Sequence, residues 1–180
     1  MNAYQNLMAP LNTEPGVADY YLWAPLSYFT TVAVFDPAGA SSSGSDAHIT
    51  ANHVFAAGKG FHKILCAPNQ NQLNFGSVGE PATLKTDNKL EVFLPGSYAA
   101  LHEFVKNSKN VPGIILVRDS DESGSIPVYY QLGTDAVYCW LDAYEGGTGT
   151  TKSGKKGYKL TYSCASGTLY QYKGTITQRP

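Results

Sequence analysis

Charge is what this sequence has least of. Asp, Glu, Lys and Arg make up 15% of its 180 residues, against about a quarter in ordinary globular proteins. The 13 Lys and Arg nearly cancel the 14 Asp and Glu, leaving a net charge of −1. Such a chain has no electrostatic footprint for nucleic acid or an anionic membrane surface, because tight retention on a polyanion needs clustered cations that release its counterions. Cysteine is scarce as well. Cys66, Cys139 and Cys164 are odd in number and widely spaced, which excludes the dense disulfide framework of small secreted domains and reads as buried thiols. Long apolar runs are missing, so no membrane-spanning helix is expected, and residues 1–8 (MNAYQNLM) lack the basic flank and apolar core of a secretory signal. The expectation is synthesis in the cytoplasm, with no membrane partner. No fixed-period repeat is visible.

Tyrosine is what the sequence has in abundance, 13 residues against seven Phe and two Trp. Protein interfaces are enriched in Tyr and depleted in Lys, Glu and Asp, which suits a surface that meets other subunits. Tyr also favours strands for its own sake, and composition leaves both explanations open. The length fits one domain able to bury a sizeable core. Residues 1–19, with Pro10, Pro15 and Gly16, read as an extended arm ahead of a single β-rich domain over 20–180. The aromatic run 20–35, broken at Pro25, fits an edge strand or two short strands with a bend. Loops expected to be mobile follow at 36–46 (DPAGASSSGSD) and at 142–157.

Further strands are predicted at 61–66, 84–94, 113–118, 126–132, 136–141, 158–164 and 169–176, with a turn at 76–79. In YKLTYSC, Tyr158, Leu160, Tyr162 and Cys164 alternate with Lys159, Thr161 and Ser163, predicting one buried and one wetter face. A single helix is predicted after Pro95-Gly96, with Ser97 capping its first turn. Tyr98, Leu101, Val105 and Ser108 fall on one side, with Phe104 beside them. Many short strands and one helix make the fold class mainly β, either an antiparallel β-sandwich or a barrel-like sheet with one flanking short α-helix.

Each motif that resembles a chemical site is undone by its own residues or spacing. Residues 146–153 (GGTGTTKS) suggest a phosphate loop, but Thr151 stands where glycine is needed and a strand, not a helix, follows. Residues 119–124 (DSDESG) open like a calcium loop whose twelfth position is Tyr130, which offers no bidentate carboxylate. His48, His53 and His62, with Asp46, have gaps that match no compact metal site and read as loop histidines; His102 sits alone on the exposed or boundary side of the helix. Cys66 has no local nucleophile signature, and Gly76-Ser77-Val78-Gly79 lacks nucleophile-elbow spacing. Asp135, Asp142 and Glu145 read as a solvated rim rather than a glycosidase pair. No catalytic, cofactor or metal residue is assigned, and the sequence points to assembly or binding.

Residues 53–66 (HVFAAGKGFHKILC), 77–97 (SVGEPATLKTDNKLEVFLPGS), 128–164 and 169–176 (LYQYKGTI) carry a resemblance. From about Asn52 to Ile176 the layout resembles tail-tube-like virion proteins of tailed phages, especially those infecting Bacteroidetes. The resemblance implies a β-sandwich or barrel-forming subunit that assembles into rings, hexameric in a tail tube, and stacks into a DNA conduit. Its partners would be itself and other virion proteins, with DNA in transient passage and no cofactor. Its place would be the virion, after synthesis in the host cytoplasm. Candidate assembly residues are Tyr20, Tyr21, Trp23, Tyr129, Tyr130, Tyr144, Tyr170, Tyr172, Lys152, Lys155 and Lys156. The run 20–35 has no counterpart in that layout, so a head-to-tail connector or another ring protein stays open. A competing reading is a carbohydrate- or peptide-binding module that stacks ligands on Trp23, Trp140 or loop tyrosines.

Overall fold

The computed structural model describes residues 20–36, 47–118, 129–149, 154–166 and 168–179. The predicted arm over 1–19, nearly all of the 36–46 linker, the acidic loop after Arg118 and Lys152 lie outside the described residues. The strands are β1 (Tyr20–Pro25), β2 (Phe29–Thr31), β3 (His48–Ile49), β4 (Val54–Phe55), β5 (His62–Leu65), β6 (Gln72–Val78) and β7 (Lys85–Pro95). After helix α1 (Ala99–Ser108) come β8 (Gly113–Arg118), β9 (Tyr129–Leu132), β10 (Trp140–Gly147), β11 (Gly157–Ser166) and β12 (Tyr170–Tyr172). They form a six-stranded sheet in the order β3-β12-β9-β8-β1-β5, a four-stranded sheet in the order β10-β11-β7-β6, and a small β2–β4 ribbon. The fold is mainly β and sandwich-like. Within the two large sheets β12–β3 is the parallel pairing; the other strand pairs are antiparallel.

The six-stranded sheet is covered on both faces. Tyr21, Trp23, Ile64, Ile115 and Leu132 face the inter-sheet core, where they meet Leu90, Val92, Leu94, Leu160, Tyr162 and Cys164 of the second sheet and Leu101, Phe104 and Val105 of α1. Leu22, Ala24, Ile114 and Leu116 join a second cluster with Ile49, Phe61, Tyr129 and Tyr172, against which Phe29 and Phe55 of the ribbon pack. Strands buried on both sides need continuous apolar runs, which explains why β1 and β8 do not alternate whereas β7 and β11 do. Trp23 sets its ring edge-on to Phe104, with centroids 5.6 Å apart. Gly113 on β8 makes room for it, since a Cβ there would lie 2.7 Å from the indole Nε1 and 2.9 Å from the Ala24 carbonyl oxygen. Cys139 bridges to Gly113 through two backbone hydrogen bonds of 3.0 and 3.1 Å. The next residue already belongs to β10 in the other sheet.

Several expectations need correction. β1 is an interior strand between β5 and β8, not an edge; Pro25 is tolerated because it is the last residue, and a 3-10 turn (Leu26–Tyr28) supplies the bend before β2. The strand predicted at 136–141 starts at Trp140. Residues 136 and 137 instead form a turn in which both backbone N–H groups donate to Thr134 Oγ1. Much of the loop predicted over 142–157 is strand, because β10 continues to Gly147 and pairs with β11 from Gly157. Gly76, Ser77 and Val78 end β6; the turn comes after them, with Gly79 and Ala82 in positive-φ conformations. Ser97 does not cap α1. The N-cap is Tyr98, with no side-chain cap bond, and the Ser97 hydroxyl is engaged by His102. His53 and His62 are core residues rather than loop histidines.

Candidate functional site

The four-stranded sheet exposes what the other sheet hides. In β7 and β11 the core-facing rows are Leu90, Val92 and Leu94 with Leu160, Tyr162 and Cys164, while Lys89 and Glu91 with Lys159, Thr161 and Ser163 face outward. On this polar face the Lys159 Nζ lies 2.8 Å from a Glu91 carboxylate oxygen, and Lys89 lies 3.4 Å from Asp87. Glu91 beside it holds the Lys159 ammonium above its ordinary range. Strand parity also places Lys85 and Glu145 outward, so Lys85, Lys89 and Lys159 stand against Asp87, Glu91 and Glu145 and the face is balanced in sign.

Open sheet edges present unpaired N–H and C=O groups and are ordinarily blunted by shortness, charge, bulges or cover. β3 is two residues long. β5 carries Lys63, and just before it Phe61 pairs with 177–179 through hydrogen bonds of 2.9 and 3.0 Å. β10 bears Asp142 and Glu145 and has a register shift between Leu141 and Ala143. Among the described residues β6 has none of these protections: its seven residues, QLNFGSV, are uncharged, contain no proline and are nearly all exposed. Phe75 at its centre is 65% exposed; Val78, at the end of β6 and on its opposite face, and Leu84, just before β7, are exposed as well. Among the described residues no strand pairs with the outer edge of β6 or of β10. The three pairings between these edges are antiparallel, so the two edge strands run in opposite directions.

The sequence-predicted assembly residues divide between interior and surface. Tyr21, Trp23, Tyr129 and Tyr172 are corrected to core positions, because strand alternation turns them into the two apolar clusters. Tyr21 and Tyr162 share a hydrogen bond of 3.0 Å between their hydroxyls, and burial pushes the Tyr21 phenol well above its usual range. Tyr172 stacks on His53 at 4.7 Å and donates to the Thr175 carbonyl oxygen. Tyr20, Tyr130 and Tyr170 are half-buried. Tyr20 shares a 2.6 Å hydrogen bond with Tyr129, lies under Lys63 and Arg118, and so is engaged within its own chain. Tyr170 stacks on Phe35. Tyr144, Lys155 and Lys156 are exposed near the β10–β11 hairpin, where the Lys109 ammonium lies 4.4 Å from the centre of the Tyr144 ring.

Sequence reasoning missed Phe75, Val78 and Leu84. The usable signal was the absence of charge through 72–78, which an edge strand normally avoids. Among the described residues no group of three or more His, Cys, Asp or Glu is placed to hold a metal, and no helix is long and apolar enough to cross a membrane. Compared with protein-family models, curated proteins and solved structures, the chain matches none.

Proposed function

We propose that this chain is a virion structural subunit that assembles into stacked rings, as the tail-tube resemblance implies, through a head-to-tail contact with copies of itself. The observation that carries the reading is the pair of open, oppositely directed edges on the four-stranded sheet. With an even number of antiparallel strands, a rotated neighbour's β10 set against β6 continues the alternation unbroken. A head-to-tail contact of this kind closes into a ring when the rotation closes. Uncharged β6 supplies the main-chain template, and Phe75 adds apolar area beside it. The outward face, balanced in sign, suits a wall past which DNA slides without being held by counterion release. In this reading the ring is hexameric if it belongs to a tail tube, its partners are itself and neighbouring virion proteins, and its work is assembly.

Light scattering across a concentration series, with negative-stain imaging, tests this. Rings or tubes are expected; a monomer at every concentration overturns the proposal, and a closed dimer shows a two-fold contact instead. A head-to-tail connector would give single rings that do not stack. A second reading, a glycan-binding module, draws on the exposed Trp140, whose ring meets Tyr138 at 6.1 Å. Binding on a glycan array that is lost in Trp140→Ala would favour it. Trp23 cannot serve as such a platform, because it is in the core.

A further inference from the structure

We infer that Ser97, His102 and Tyr158 form a nucleophile, a general base and its positioning partner for acyl transfer from carboxylic esters. The inference is independent of ring assembly. Three separate elements bring the groups together. Ser97 lies in the turn after β7, His102 on α1 and Tyr158 on β11. Ser97 Oγ is 3.1 Å from His102 Nε2, and His102 Nδ1 is 2.6 Å from the Tyr158 hydroxyl. A nucleophile within hydrogen-bond reach of a base that is itself held by a third group is the geometric signature of an activated hydroxyl.

The backbone around the cluster fixes this arrangement. Gly96 has a φ of +102°, which turns the chain so that Ser97 meets α1, and its N–H donates to the Lys156 carbonyl oxygen at 2.9 Å, beside the start of β11. Gly146 on β10 lies beneath Tyr158; a Cβ there would come 2.6 Å from Tyr158 Cε1, so the missing side chain lets the ring lie across the hairpin. His102 then meets that ring edge-on, with centroids 5.4 Å apart. The Tyr144 ring lies 6.4 Å from that of Tyr158, centroid to centroid, and carries the Lys109 ammonium over it. The serine hydroxyl donates to Nε2 when Nδ1–H donates to the Tyr158 oxygen, and this tautomer leaves the Nε2 lone pair aimed at the serine proton. Ser97 is turned to His102, Tyr98 makes no side-chain cap bond, and the Leu101 N–H is taken by the Tyr98 carbonyl oxygen at 3.1 Å, which leaves the Ala99 and Ala100 amides of the first turn without a cap from Ser97 or Tyr98. They are donors for an oxyanion, at the positive end of the helix dipole.

In the reaction, Ser97 Oγ bonds to the ester carbonyl carbon while its proton passes to Nε2. The tetrahedral intermediate expels the alcohol, which takes that proton as the carbon–oxygen bond breaks. Water then attacks the acyl-serine, giving its proton to Nε2; the acyl bond breaks, and the proton returns to Ser97 Oγ as the carboxylic acid leaves. The sum is ester plus water to acid plus alcohol. Ser97 and His102 are exposed, so the site is open to esters carried on large or extended molecules.

A fluorophosphonate probe tests the proposal on the intact chain. Its phosphorus would bond to Ser97 Oγ as fluoride leaves, and peptide mass mapping would find the adduct. Expected results are one adduct at Ser97, none there in Ser97→Ala, and labelling slowed about 100-fold in His102→Gln, within the usual range for loss of a general base. Tyr158→Phe should slow labelling and shift its pH profile at an unchanged melting temperature, which a purely structural tyrosine would not do. The inference is overturned if Ser97 stays unmodified where a known serine esterase reacts, or if His102→Gln labels at the rate of the parent.

Discussion

The two sheets of this protein are built by opposite rules. The six-stranded sheet is closed: clusters cover both faces, and its flanks are short or paired. The four-stranded sheet shares the core on one side and, among the described residues, leaves a polar face and two edges open. The contrast separates stability from interaction. Apolar substitutions in the closed sheet should affect folding, whereas changes along the open sheet should affect what the chain associates with.

The contrast is broken most severely at Trp23, which is 1% exposed between the sheets. Trp23→Ala should cost about 3–5 kcal/mol of stability, read from the urea midpoint; a loss below about 1 kcal/mol would mean that the core is not centred there. Next in size is pH. Burial lowers the His53 pKa to about 4 against the raising effect of Gln131, and lowers that of His62 to about 4, with help from Arg179 and Lys59. The unfolded chain therefore binds more protons than the folded one between the ordinary value of about 6.5 and about 4, so stability is full above that window and falls as pH drops through it. Each histidine should remove about 2 kcal/mol by pH 5, measured by denaturation across pH. A flat profile would place them in water.

The open sheet supplies the smaller effects on folding. Phe75→Lys puts a charge on the edge strand and should weaken self-association roughly tenfold or more, as loss of an interface anchor does, with little change in melting temperature. Undiminished association would move the contact elsewhere. Thr161→Ala, on the polar face, should change stability by no more than about 0.5 kcal/mol. A larger loss would show that this face is covered.

Much of the fold was legible in the sequence because burial leaves a periodic trace. The alternation of β11, the apolar run of β8 and the spacing of Leu101, Phe104 and Val105 each announce their element. β6 left no such trace. It is mostly exposed, so nothing selected an apolar rhythm in Gln72–Val78, and Gly76 suggested a turn. The candidate site was less legible for a related reason. Tyr20 and Tyr21 are neighbours of one residue type, yet they point to opposite faces, and composition cannot tell a tyrosine that packs from one that meets a partner. The Ser97–His102 pairing was hidden because capping and side-chain relay begin from the same serine ahead of a helix.

The passage of the chain from Cys139 into β10 has a mechanical meaning. Cys139 is fastened to Gly113 on β8, and one residue later the strand belongs to the sheet with the open edges. Tension applied along β10 therefore arrives at the most deeply buried strands after a single peptide link. Those strands are laced on both flanks, so the pull is shared across the sheet. The open sheet is the handle, and the closed sheet is its anchorage.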